Sequence, residues 1–191
     1  MTEQLHPVYA SDVSVPLISL IQAVRNGWKP PDSVSEAEYA YARTLPETHP
    51  AHGFCGFGCS FGGKLWGGYA RGDVGRNYAQ GSRNTLLRQI AHTRSTYFCE
   101  PCDYLQWTGA SRTAFYCDPP YANTTKYTRA FDSLRFWEWC SQQTRLGALM
   151  LVSEFAAPAG VAESIVCVQS KSDLHTKHRA QATCEHLFKV R

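Results

Sequence analysis

The chain has 191 residues and a mass of 21.4 kDa, enough for one compact domain that hides about 70% of its unfolded surface. Hydrophobic residues are 43% and charged residues 18%, which excludes disordered and collagen-like classes; the absence of any apolar run of about 18 residues excludes a membrane-spanning helix. The net charge of +3 is too small to single out a nucleic-acid binder.

Residues 8–12 read as the end of a short strand. Residues 13–26 follow as a helix, because Leu17, Leu20, Ile21 and Val24 recur at helical spacing, with Pro16 suited to the first turn and Gly27 to the stop. Trp28-Lys29-Pro30-Pro31 is a rigid turn, and Ser35 with Glu38 forms a capping-box pattern for a second helix ending near Leu45. Its small and polar residues predict a peripheral position.

Residues 53–81 hold ten of the fourteen glycines, interleaved with Phe54, Phe57, Phe61, Trp66 and Tyr69. Such a composition suits neither a regular helix nor a buried strand, and predicts a shaped loop. Positive charge concentrates here: from Gly53 to Phe98 the basic residues are Lys64, Arg71, Arg76, Arg83, Arg88 and Arg94, and Asp73 is the only acid. A short helix is expected over 84–92. Apolar strand-type runs follow at 97–99 and 113–117, then an aromatic helix over 131–140 and a buried strand over 148–152. Weaker strand patterns occupy 165–169 and 186–190. Strands alternating with helices predict an α/β fold in a single domain over residues 1–191.

The start Met1-Thr2-Glu3-Gln4 lacks the basic-then-apolar order of a secretory leader, so the cytoplasm is the expected compartment and the eight cysteines are expected as reduced thiols. Cys55 with Cys59 and Cys99 with Cys102 could together hold zinc. The first pair, however, sits inside the glycine run, and Cys102 adjoins a residue with another assignment, so no metal is assigned.

The sharpest signal is Phe115-Tyr116-Cys117-Asp118-Pro119-Pro120-Tyr121. Proline cannot continue a central ladder, so the strand stops at Asp118 and leaves the acid and Tyr121 at its carboxyl end, the edge where open α/β sheets bind ligands. Read locally, the same residues make an ordinary strand-to-loop turn.

Asp118-Pro119-Pro120-Tyr121 resembles the catalytic motif of methyltransferases acting on DNA adenine N6, and its surroundings resemble the Dam-like group often found in bacteriophages. Ordered matches run from Tyr9 to about Pro158: Ala10-Ser11-Asp12, Asn26-Gly27-Trp28, Gly56-Phe57-Gly58-Cys59-Ser60-Phe61-Gly62-Gly63-Lys64, Gly67-Gly68-Tyr69-Ala70-Arg71, Cys102-Asp103-Tyr104, Phe131-Asp132 with Phe136-Trp137, and Val152-Ser153-Glu154. The resemblance implies a Rossmann-like, mostly parallel sheet and methyl transfer from S-adenosylmethionine to an adenine flipped out of double-stranded DNA. For a phage-encoded protein the compartment is the host cytoplasm.

The resemblance also assigns roles. Asp118 and the backbone carbonyl of Pro119 accept hydrogen bonds from the adenine amine, Pro120 shapes the turn, and Tyr121 stacks on the purine. Asp12 matches the carboxylate that holds the cofactor ribose, and Asp103 the one that contacts the cofactor adenine, with Asp118 beside them. Read locally, Asp12 caps the following helix and Asp103 is a surface loop acid. Residues 46–96 correspond to a DNA-facing insert, in which Lys64, Arg71 and Arg76 fit phosphate contacts and Tyr69 base stacking; the bland alternative is a solvated basic loop.

Relatives begin with a Gly-Lys segment, a strand ending in Glu-Pro-Phe and a glycine-rich turn around the methionine part of the cofactor, whereas eleven residues precede Asp12 here. Gly56 to Gly63 is not a substitute, because a nucleotide loop follows a buried strand and opens a helix. An amino-terminally truncated fold is therefore expected, with another copy or a companion chain completing the cofactor site. The alternative is a catalytically inactive methyltransferase-like module that binds DNA or protein.

Overall fold

The computed structural model describes residues 7–72, 76–121, 131–170 and 183–191; Asp73, the lone acid of the basic stretch, lies outside them. The described residues form a mixed α/β structure with six strands in two sheets, and the chain divides after Gln106 into two compact units.

In the first unit β1 (Val8–Ala10) and β2 (Thr96–Phe98) pair in parallel, Tyr9 opposite Tyr97. The connection between them is helical. Helix α1 (Val15–Arg25) has Pro16 in its first turn and stops before Gly27, whose φ of +96° only glycine adopts freely. It buries Ile18, Leu20 and Val24, and its Gln22 amide donates to the Phe98 carbonyl at 3.2 Å, tying helix to strand. Helix α2 (Glu36–Ala42) opens with the expected capping box: Glu38 N–H donates to Ser35 Oγ, and Ser35 N–H to Glu38 Oε2.

Two expectations are corrected here. Helix α2 is not peripheral, because Tyr39 is buried and its hydroxyl meets Ser60 Oγ at 2.7 Å. Nor is the glycine run a loop throughout. Helix α3 (Pro50–Gly53) continues into a π-helical turn (Phe54–Gly58), and a 3₁₀ turn follows (Phe61–Gly63). Phe54, Cys55 and Cys59 of this stretch lie in the unit's apolar core with Leu20, Val24 and Val34. Several glycines are there for close approach rather than flexibility: a Cβ on Gly53 would lie 2.3 Å from the Pro16 carbonyl oxygen, and one on Gly56 would meet Leu65 at 2.5 Å. Helix α4 (Tyr78–Ala91) begins earlier than expected because Asn77 caps it, accepting from Gln80 N–H at 3.0 Å.

The second unit holds β3 (Ala114–Cys117), α5 (Ser133–Arg145), β4 (Leu149–Glu154), β5 (Ala162–Ser170) and β6 (Thr183–Val190). The sheet order is β3-β4-β6-β5. β3 and β4 are parallel, whereas β6 is antiparallel to both β4 and β5, so the mostly parallel expectation holds for half of the strand pairs. Helix α5 starts at Asp132, whose carboxylate accepts from Arg135 N–H at 3.0 Å, and buries Phe136, Trp137, Trp139 and Cys140. With Ala148 and with Met150, Val152, Phe188 and Val190 of the sheet, these are the unit's buried apolar residues among those described. The strand at β3 is less buried than its apolar sequence suggests: it alternates, with Tyr116 67% exposed.

Among the described residues no helix is long and apolar enough to cross a membrane. Six cysteines are free thiols and Cys167 is bonded to Cys184, so the expectation of reduced thiols throughout is corrected at that one pair. It joins the neighbouring strands β5 and β6, across which Cys167 stands opposite His186.

Candidate functional site

The expected acids sit at the carboxyl ends of parallel strands in each unit. In the first, β1 ends just before Asp12 and β2 leads through Cys102 to Asp103. The two loops are joined directly: Cys102 N–H donates to the Asp12 carbonyl at 3.1 Å, and Ser11 Oγ contacts Cys102 Sγ at 3.1 Å. Both side chains are exposed. Each carboxylate uses Oδ1 to close its own turn, Asp12 accepting from Ser14 N–H at 2.7 Å and Asp103 from Leu105 N–H at 2.9 Å. The structure thus brings the loops that carry Asp12 and Asp103 together at the carboxyl ends of paired strands. The local turn bond and a ligand contact are compatible, because a carboxylate has two oxygens and about four lone-pair sites.

In the second unit Asp118 follows β3 directly and is exposed, with Pro119, Pro120 and Tyr121 half-buried beyond it. Tyr121 is held at both ends. Its ring packs edge-on against Phe155, with centroids 4.7 Å apart, and its hydroxyl donates to Glu185 Oε1 at 2.6 Å. Ser153, near the end of β4, donates to the same oxygen at 2.9 Å. Two hydroxyl donors on one carboxylate oxygen stabilise its charge and hold the Glu185 carboxyl below the usual carboxylate range, the Tyr121 bond being the larger cause. Burial, and then the bond to the Glu185 carboxylate, push the Tyr121 phenol up, so the phenol remains a neutral donor near pH 7. Beside this group Glu154 is 2% exposed and its Oε1 accepts from Phe155 N–H at 2.8 Å.

Two thiol pairs complete the ionisable groups, one of them beginning at the residue before Asp118. Cys117, the last residue of β3, is held below its ordinary value by a hydrogen bond from Cys140 of α5, which is pushed up in turn. Cys55 and Cys59 share a proton in the same manner, Cys55 lowered and Cys59 raised. Cys55 and Cys59 are buried, and Cys140 is fully so. These thiols therefore belong to the packing of their units.

The residues expected to face DNA are partly gathered. Tyr69, Arg71 and Arg76 line one open cleft of about 410 Å³ together with Val34, Asn77 and Tyr78; Lys64 is not among its walls. Tyr69 donates its hydroxyl to the Val34 carbonyl at 2.7 Å and packs its ring 5.5 Å from that of Tyr39. Arg71 pairs with Glu36, and Arg76 lies over the Tyr78 ring at 4.6 Å.

Sequence reasoning missed Glu185. It lies just before the last of the weaker strand patterns, and its partners Tyr121 and Ser153 precede it by 64 and 32 residues, a juxtaposition that only the insertion of β6 beside β4 creates. No protein-family model matches the chain, and no curated protein is significantly similar to it.

Proposed function

We propose that this chain is a Dam-like DNA adenine-N6 methyltransferase that takes its methyl group from S-adenosylmethionine. The observation that carries the reading is the position of Asp118-Pro119-Pro120-Tyr121 at the carboxyl end of a strand with a parallel neighbour, with Ser153 and Glu185 gripping the tyrosine hydroxyl. The exocyclic amine of adenine is a poor nucleophile that must be fixed in direction before it reacts. Asp118 and the Pro119 carbonyl are acceptors suited to its two N–H groups, and Tyr121 offers a half-buried ring held by its hydroxyl. Positioning and charge stabilisation then supply most of the rate.

The carboxylates of Asp12 and Asp103 fit the hydroxyl and amine donors of an adenosine, and S-adenosylmethionine when bound supplies the electrophilic methyl group. The mixed α/β structure is compatible with an α/β fold. Among the described residues β1 pairs only with β2, and β3 only with β4.

The second reading, a catalytically silent module that binds DNA or protein, draws on the exposed Val8, Tyr9 and Tyr97 of β1 and β2. Duplex DNA carrying 2-aminopurine in place of adenine separates the two. The base brightens when it leaves the stack, so an adenine-handling site gives a fluorescence rise that Tyr121→Ala removes; on the matching duplex with adenine in that position, it gives labelled methyl transfer that Asp118→Ala abolishes. Methyl transfer undiminished in Asp118→Ala refutes the catalytic reading; DNA binding without a fluorescence rise favours the silent module.

A further inference from the structure

Among the described residues one group of three His, Cys, Asp or Glu side chains is gathered closely enough to hold a cation: Cys167, Cys184 and His186, with one donor atom from each within 4.8 Å of the others. The sheet register produces this cluster. Cys167 on β5 stands opposite His186 on β6, and Cys184 precedes His186 by two residues, so both β6 donors project from the same face. Cys167 is exposed and the other two are half-buried, leaving the group accessible from solvent.

The histidine is oriented as a ligand would be. A register shift between Ser164 and Val166 bulges β5 and turns Ser164 Oγ toward the imidazole, 2.8 Å from Nδ1. The same hydroxyl lies 3.3 Å from the Val166 carbonyl, and when its proton is directed there it accepts from His186 Nδ1–H. That bond leaves the Nε2 lone pair for a cation. Stacking on Phe188, with ring centroids 5.2 Å apart, further restrains the imidazole. A second polar partner that fixes the tautomer and direction of a ligating histidine is a regular companion of metal sites.

We propose that the reduced β5–β6 pair binds one zinc ion through Cys167, Cys184 and His186, with water in the fourth position. Two thiolates and one imidazole match zinc rather than magnesium or calcium, which prefer oxygen ligands. The two thiolate charges balance the dication, so the site is neutral. The Cα atoms of Cys167 and Cys184 are 5.9 Å apart, a spacing that serves either the sulfur–sulfur bond or two thiolates on one metal; the two states exclude each other. A phosphine gives two electrons to the sulfur–sulfur bond and ends as the phosphine oxide, its oxygen and the two thiol protons coming from water. Metal binding then displaces the two thiol protons to buffer.

The site also bears on the tyrosine network. Glu185 lies between Cys184 and His186 and therefore projects from the opposite face of β6, where it holds Tyr121 and Ser153. A cation on one face would fasten the register that presents Glu185 on the other. The zinc site itself stands independently of the methyltransferase reading.

The test uses the full chain, reduced with a phosphine, desalted without oxygen and titrated with Co²⁺ as a spectroscopic stand-in for zinc. One equivalent is expected, with a thiolate-to-cobalt charge-transfer band that zinc abolishes by displacement. The Cys167→Ser/Cys184→Ser double variant should lose the band, His186→Ala should bind at least tenfold more weakly, and Ser164→Ala about tenfold more weakly. In the unmodified protein, zinc should shield Cys167 and Cys184 from alkylation, read by peptide mapping, which needs no variant to fold. Absence of metal binding by the reduced protein overturns the proposal. So does a full equivalent retained in the double variant, or alkylation of both cysteines at an unchanged rate with zinc present.

Discussion

Gly53 and Gly81 make opposite predictions from the same substitution. Both lie in helices, α3 and α4, and alanine is favoured over glycine in a helix interior by about 1 kcal/mol. On propensity alone, both Gly→Ala changes stabilise. At Gly81 a new Cβ meets nothing within 4 Å, so the propensity gain should survive, and Gly81→Ala should raise stability by about 0.5–1 kcal/mol. At Gly53 the Cβ would sit 2.3 Å from the Pro16 carbonyl oxygen and 3.0 Å from Leu20 Cβ. The nearest atom is backbone in the first turn of α1, so it cannot swing aside as a flexible side chain would. Helix α1 must move relative to α3, which disturbs the packing around Leu20 and Phe54. Overpacking of this kind costs about 1–3 kcal/mol, which outweighs the propensity gain and leaves Gly53→Ala net destabilising. Urea denaturation followed by circular dichroism reads both. A Gly53→Ala midpoint equal to or above the parent's would refute the close helix–helix contact, and with it the placement of the glycine run in the core.

The Tyr121–Glu185 bond predicts a specific pH dependence. Because the folded-state carboxyl of Glu185 is lowered, its contribution is present above the unfolded carboxyl pKa and is lost as pH falls through the folded value. For this partly exposed group that contribution is about 1 kcal/mol; Tyr121→Phe should lower stability by that amount at pH 7 and by progressively less as pH falls below the ordinary carboxylate range, and a loss that does not shrink with acid refutes the charged bond. For DNA, replacing Lys64, Arg71 and Arg76 together with alanine should weaken binding to all sequences and shrink the log–log salt slope by about 2.7 if all three meet phosphate. A slope unchanged in the triple variant indicates that Glu36 and Tyr78 occupy Arg71 and Arg76 fully.

What the sequence made legible follows the reach of its signals. Proline and glycine punctuation placed α1, because Pro16 and Gly27 act through their own backbone angles. Ser35 and Glu38 marked the start of α2, since a capping box is complete within four residues. Asp118-Pro119-Pro120 marked the end of β3 for the same reason. Signals that depend on distant partners were not legible. Nothing local tells that Tyr39 turns inward to Ser60, or that Gly53 is small because Pro16 lies against it. Composition misled over 53–81, where glycine permits the chain to pack closely as readily as it permits it to flex. Asn77, a local cap, could have extended α4 to its observed start; Glu185 and the Cys167–Cys184–His186 cluster depend on the register of β6, which a weak strand pattern does not specify.

The open edges of β1 and β3 bear on association. Each strand pairs on one side only among the described residues, and each is short, at three and four residues. Short strands limit unwanted pairing, and their unpaired N–H and C=O groups cost nothing while water reaches them. Covering them is different, because each buried group left without a partner costs about 1–3 kcal/mol. A helix or an apolar side-chain surface laid across these edges would bury peptide groups that it cannot satisfy; only a strand presents donors and acceptors at the repeat of the ladder. The exposed Val8 and Tyr9 on β1, and Tyr116 on β3, supply apolar area at each edge.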